Sequence, residues 1–272
     1  MFLQRALITF TLGPLALYLI YLGGWFYFIP LAIILLLATL EYSQIAQKIG
    51  WQVPPLLLVP VVLVQWVLAQ WPQDSLTGPL LLISLLIITA YALWQYESKS
   101  SKTVPANWFA VISGLILFGW VCGHFFKLRG LPEMAWQWTM LAMLSTWIAD
   151  SGAYLVGRFV AGRGFLGRHL LSPRLSPKKT VEGFMGGIVL STLFTLLIAS
   201  WLRIEWLPAL LLALLVSSIG TVGDLGISLL KREAGVKDSG TLFPGHGGAL
   251  DRIDSLMWTV AIAYYLAILF ID

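Results

Sequence analysis

The sequence predicts an all-α, polytopic integral membrane protein, with about nine transmembrane helices and a polar site on the cytoplasmic side. Three observations predict it. Of 272 residues, 58% are hydrophobic and only 11% are charged. A water-soluble chain of this size needs a polar skin, in which roughly a quarter of all residues is charged. Apolar stretches of spanning length recur along the chain, and the basic residues collect in alternate loops. A helix satisfies its own backbone hydrogen bonds, so a stretch of about 17 to 25 apolar residues crosses a bilayer in that form.

The first stretch, 6–22, follows Arg5 and has the length of a signal-peptide core. Equally apolar stretches follow it and no small-residue cleavage site ends it, so it is read as the first span. The second, 25–40, is short; 53–70, 76–94 and 105–123 come next, separated by turn-forming loops such as WPQDSLTG at 71–78 and ESKSSKTVP at 97–105. The sixth, 135–157, and the eighth, 207–228, carry acids, while 183–201 and 255–271 are the seventh and ninth. The 25 glycines and 13 tryptophans suit close helix contacts in lipid and anchoring at the headgroup level.

The basic residues orient these spans. With a cytoplasmic N-terminus, that side holds Arg5, Lys48, Lys99, Lys102, six residues from Arg158 to Lys179, and Lys231, Arg232, Lys237 and Arg252. The other side holds Lys127, Arg129 and Arg203, so fourteen basic residues face three. Such a bias in short loops marks the inner face. Two regions follow: N-terminal spans over 1–130, and a catalytic region over 131–272 with charged cytoplasmic loops at 158–182 and 229–254. The net charge of +4 comes without an aromatic-basic binding module, which argues against nucleic acid. The single cysteine, Cys122, excludes an intramolecular disulfide and a cysteine-based metal cluster.

Charge inside the apolar helices points to chemistry. A carboxylate at membrane depth needs a partner, a metal or water. Asp150 shares a helical face with Thr146, Tyr154 and Arg158, which also suits a bundle-holding ion pair. On the eighth span Ser217, Thr221, Asp224 and Ser228 form one polar stripe. Gly220, Gly223 and Gly226 there leave room for a backbone or a ligand. Asp251 and Asp254, three residues apart, are expected on one face of a helix's first turn, where acids also act as plain caps. With Asp224 they are hard oxygen ligands suited to Mg²⁺ carrying phosphates. Lys178, Lys179 and Thr180 stand just before a helix, where free backbone N–H groups add to ammonium groups around an anion. The arginines of the same loop also suit anionic lipid heads. His124 and His169 read as interfacial, and His246, between glycines, as a phosphate contact.

The segment SLLKREAGVKDSGTLFPGHGGALDRID at 228–254 resembles the C-terminal signature of bacterial phosphatidate cytidylyltransferases, also called CDP-diglyceride synthases. SPKKTVEG at 176–183, DSGAYLVGR at 150–158 and GDLGISLLKR from Gly223 share the family's character. The first 130 residues match it only as apolar spans. The resemblance implies conversion of CTP and phosphatidic acid to CDP-diacylglycerol and pyrophosphate, with Mg²⁺ and a second, monovalent cation such as K⁺. It further implies a homodimer in the bacterial cytoplasmic membrane, with the site facing the cytoplasm. Asp224 and Asp251 are the implied metal ligands and, with Lys178 and Lys179, the catalytic set. Ser176, Thr180, Lys231, Arg232, Lys237, Asp238, His246, Arg252 and Asp254 are the expected substrate-binding residues. A lipid or polyprenol kinase would use the same metal and phosphate chemistry. A transporter would spread its charges through both membrane halves, often with a repeat that is not seen here.

Overall fold

The computed structural model describes residues 2–71, 74–163, 167–242 and 247–270. Each apolar stretch lies on a helix. Six helices are long and apolar enough to cross a membrane: 24–49, 75–97, 104–129, 181–202, 206–233 and 250–270. Two shorter apolar helical stretches cover 11–22 and 55–70. The chain divides into two compact units, one of 1–130 with 233–253 and one of 131–232 with 254–272. The segment 233–253 thus groups with the N-terminal spans in the first unit.

In the first unit, α1 (Phe2–Leu22), α2 (Gly24–Ile49), α3 (Pro55–Gln70) and α4 (Asp74–Glu97) each carry an internal proline, namely Pro14, Pro30, Pro60 and Pro79. Neighbouring helices make such breaks tolerable in a membrane by meeting the freed backbone groups. The fifth span is continuous but irregular: α5 (Val104–Gly114), a π-helical turn (Leu115–Val121) and α6 (Cys122–Arg129). Buried aromatic side chains spend their polar tips on the carbonyls of this span. Trp66 Nε1 donates to Phe118 O at 2.6 Å, Tyr42 Oη to Ala110 O at 2.7 Å and Tyr27 Oη to Phe125 O at 3.1 Å. A π turn disturbs the regular ladder, so outside donors of this kind stabilise it.

In the second unit, α7 (Ala135–Phe159) and α8 (Val181–Leu202) pack through small residues. A Cβ on Gly187 would meet Ala149 O at 2.9 Å, and one on Gly183 would meet Ala153 O at 2.6 Å. Beyond this seam Ser191 Oγ donates to Ser145 O and Thr195 Oγ1 to Ser145 Oγ. On α8 the large residues Met185, Val189, Leu193, Leu197 and Trp201 point outward, while Gly187, Ser191 and Thr195 are buried. Large apolar groups outside and small or polar groups inside invert the pattern of a soluble helix and suit lipid as the surrounding solvent.

The expected loop 158–182 instead contains an antiparallel hairpin, β1 (Leu170–Ser172) with β2 (Ser176–Thr180). The all-helical reading holds for the spans, and this hairpin is its one departure among the described residues. The prolines at 173 and 177 hid it, since Pro lacks the N–H a ladder uses. Here the turn holds one proline, and the short edge strand tolerates the other. The unit is completed by α9 (Trp206–Glu233) and α11 (Leu256–Phe270), while α10 (Leu250–Ile253) belongs to the first unit and packs on α2.

Candidate functional site

Strand β2 delivers the lysines of the second unit. Successive side chains of a strand point to opposite faces. Lys178 is accordingly exposed, while Lys179 turns inward and meets Asp224 of α9, Nζ to Oδ2 at 2.5 Å. Thr180, buried, ends the strand and caps α8, its Oγ1 accepting from Gly183 N at 3.0 Å. That bond replaces an unpaired amide of the helix start. Glu182 in the same first turn accepts from His169 N at 3.0 Å and pairs with His169 Nδ1 at 2.6 Å, so His169 holds the hairpin to α8. Arg232 Nε donates to Leu175 O at 3.0 Å, tying the hairpin turn to the end of α9. Ser176 closes the register opposite Ser172.

Around Asp224 three carboxylates gather with two ammonium groups. Ser228 Oγ donates to Asp224 Oδ1 at 3.3 Å. Asp254 lies 3.9 Å from Lys231 Nζ, both side chains largely buried, and the charges of Asp224 and Asp150 also face it. Asp150 accepts from Ser255 Oγ at 3.3 Å. Tyr154 and Arg158, further along the face of α7 that carries Asp150, bond to each other. The upper half of the α9 stripe does no comparable work, since Ser217 and Thr221 return their hydroxyls to Ala213 O and Ser217 O. Gly220 and Gly223 lie against α11, where added Cβ atoms would meet Thr259 Cγ2 at 3.1 Å and Trp258 Nε1 at 2.8 Å. Gly226 faces open space.

The helical span 250–270 is interrupted between Asp251 and Asp254, so the two do not share one regular turn. Helix α10 stops at Ile253, and a turn at 254–255 precedes α11. Asp254 Oδ1 accepts from Ser255 N at 2.8 Å, so its carboxylate meets the backbone of that turn instead of continuing a helix. Asp251, in the first unit, is held differently. Its Oδ2 accepts from Ser239 N at 2.8 Å, Gly248 N at 2.9 Å and Ser239 Oγ at 3.0 Å. Gly247 has φ 81, and a Cβ there would crowd the Asp251 carboxylate, so both its conformation and its space demand glycine. Lys237, Asp238 and Arg252 are exposed on this unit. His246 lies outside the described residues.

Sequence reading missed Glu41. This residue of α2 is 9% exposed and accepts from Ser239 Oγ at 2.7 Å and from Ala249 N and Leu250 N, both at 2.9 Å. The signal was present as a carboxylate directly after an apolar run, but it reads there as the end of a span.

Among the described residues no three His, Cys, Asp or Glu side chains form a ready metal cage. Mg²⁺ needs none, since it keeps waters and takes one or two carboxylates plus substrate phosphates. The excess of carboxylate over ammonium around Asp224, all hard oxygen, fits such an ion.

A model of the cytidylyltransferase family matches residues 3–270. The chain is similar to a phosphatidate cytidylyltransferase of a Synechocystis strain, 32% identical over 294 residues, covering 97% of this chain and 96% of that one. It is also similar to proteins of the same description from Bacillus subtilis, 37% identical over 70% of this chain and 68% of that one, and Brucella suis, 35% identical over 72% and 68%.

Proposed function

The chain belongs to the cytidylyltransferase family, and on that premise we propose that it makes CDP-diacylglycerol and pyrophosphate from CTP and phosphatidic acid. The observation that carries the reading is the convergence of Lys179, Asp224 and Ser228 beside a hairpin that exposes Lys178 at the end of apolar helices. Cations on that hairpin would bind a lipid headgroup whose tails stay among the helices. The named relatives support phosphatidate as the acceptor.

A phosphate oxygen of phosphatidic acid attacks the α-phosphorus of CTP in line. The new P–O bond forms as the bond from the α-phosphorus to the bridging oxygen breaks, and pyrophosphate leaves with that electron pair. The nucleophile is already an anion, so no general base is needed. The residues position and neutralise. Lys178 and Lys179 bind phosphate, with Ser176 and Thr180 shaping the hairpin that presents them. Lys231, Arg232 and Arg252 are further phosphate contacts, while Lys237, Asp238 and His246 belong to the nucleotide side and Asp254 holds Lys231 in place. Asp224 and Asp251 are each carboxylates that would hold Mg²⁺, and the ion would supply neutralisation of phosphate charge and stabilisation of the leaving group. A second, monovalent cation such as K⁺ joins it. Nine spans, a cytoplasmic N-terminus, a site facing the cytoplasm of a bacterial inner membrane and a homodimer complete the proposal. CTP is made in the cytoplasm and cannot cross lipid, and fourteen of seventeen basic residues fall on that side in this topology.

The test is conversion of labelled phosphatidate by purified protein in detergent, with CTP, ATP or no nucleotide, each with and without Mg²⁺. A liponucleotide that requires both CTP and Mg²⁺ is expected. A folded, monodisperse protein that makes none with CTP contradicts the reading.

A further inference from the structure

We propose that Glu41 is a positioning residue that sets Ser239 and the segment 247–250, and through them the carboxylate of Asp251, so that the N-terminal spans take part in building the catalytic signature. The inference rests on Asp251 being a metal ligand, as proposed above, and adds a residue from outside the C-terminal motifs.

Glu41 Oε1 accepts from Ala249 N, and Oε2 accepts from Leu250 N and Ser239 Oγ. The backbone at Gly240 and at Gly248 closes over the group, since a Cβ on Gly240 would stand 2.9 Å from Glu41 Cδ and one on Gly248 would stand 2.5 Å from it. The two amides are the start of α10, where N–H groups lack helical partners. A buried carboxylate that answers both is an internal cap supplied by another helix.

Ser239 links this cap to Asp251. Its hydroxyl lies 2.7 Å from Glu41 Oε2 and 3.0 Å from Asp251 Oδ2, and accepts from Asp251 N at 3.3 Å. A serine has one hydroxyl proton, so the two carboxylates share a single donor. A change at Glu41 therefore alters the donors around Asp251 without touching that residue. Glutamine cannot substitute, because whichever way its amide lies, the NH₂ group faces a donor of Ala249, Leu250 or Ser239. Partners that orient a ligating carboxylate typically cost about 10- to 100-fold in metal affinity when removed.

The experiment uses the full-length protein in detergent. Hydrogen-exchange mass spectrometry, without metal or nucleotide, is expected to show Glu41→Gln speeding amide exchange across 239–253 by about tenfold or more while 135–160 keeps the wild-type rate. In the CTP assay the Mg²⁺ concentration for half-maximal rate should rise about tenfold, a shift that loss of folded protein alone does not produce. Ser239→Ala should give part of the shift and add little in combination with Glu41→Gln. Gly240→Ala keeps the carboxylate but crowds it, and decides the matter if Glu41→Gln does not fold. Unchanged exchange in 239–253, faster exchange throughout the protein, or an unchanged Mg²⁺ requirement in an active variant would overturn the role of Glu41. An inactive wild type would instead remove the proposed reaction, leaving the exchange arm to judge Glu41.

Discussion

The 2.5 Å pair between Lys179 and Asp224 determines what either group offers before substrate arrives. In the proposed reaction a phosphate oxygen would exchange with the carboxylate for this ammonium, which would free Asp224 for a cation. Lys179→Ala should lower kcat/KM for CTP or phosphatidate by about 10- to 100-fold, the worth of a charged hydrogen bond, and steady-state kinetics read it directly. Asp224→Asn and Asp251→Asn keep the size of the side chain but halve its acceptor capacity. Each should cut turnover by about a hundredfold or more in protein that still elutes as one folded species. Near-normal rates in both would remove the metal assignment. These carboxylates were legible because an acid in or beside an apolar helix has few cheap explanations. Glu41 carries the same local signal but reads as the end of a span, because its three donors come from residues about two hundred positions away.

The elements carry those residues to their places for reasons that sequence shows unevenly. Helix α9 was readable from its apolar length and its polar stripe, and α8 from the lysine-threonine start that proved to be its cap. The hairpin was not, since SPRLSPKK lacks both the alternation and the β-branched residues by which strands announce themselves. It forms because α7 and α8 bring its ends together, and its ladder is anchored by Val181 N donating to His169 O at 2.8 Å. The α7–α8 seam is correspondingly intolerant of bulk. Gly183→Val would drive side-chain atoms into Ala153 O and Gly157 Cα, and should destabilise the protein by about 1–3 kcal/mol. A lowered melting temperature in detergent with unchanged monodispersity checks it, and a Gly13→Ala control should be silent because nothing lies within 4 Å of a Cβ there.

The whole molecule departs from a simple two-part reading at one place. Residues 233–253, the centre of the signature, group with 1–130, so the N-terminal spans form more than an anchor. The sequence could not show this, because the grouping arises from long-range contacts such as α10 on α2. The topology, by contrast, has a plain test. Cys122 is buried and should stay unlabelled in intact cells. A cysteine introduced as Ser101→Cys should react with a membrane-impermeant maleimide only after the cytoplasm is opened, and one introduced as Arg203→Cys should react from outside. The reverse pattern would invert the orientation drawn from the basic residues.

The measurement that bears most directly on the proposed reaction follows the phosphorus. Parallel reactions with α-³²P-labelled and γ-³²P-labelled CTP, phosphatidate and Mg²⁺ should place the α label in the lipid product and the γ label in pyrophosphate. Transfer of the γ label to lipid would mean phosphoryl transfer of the kinase type, and would contradict attack at the α-phosphorus.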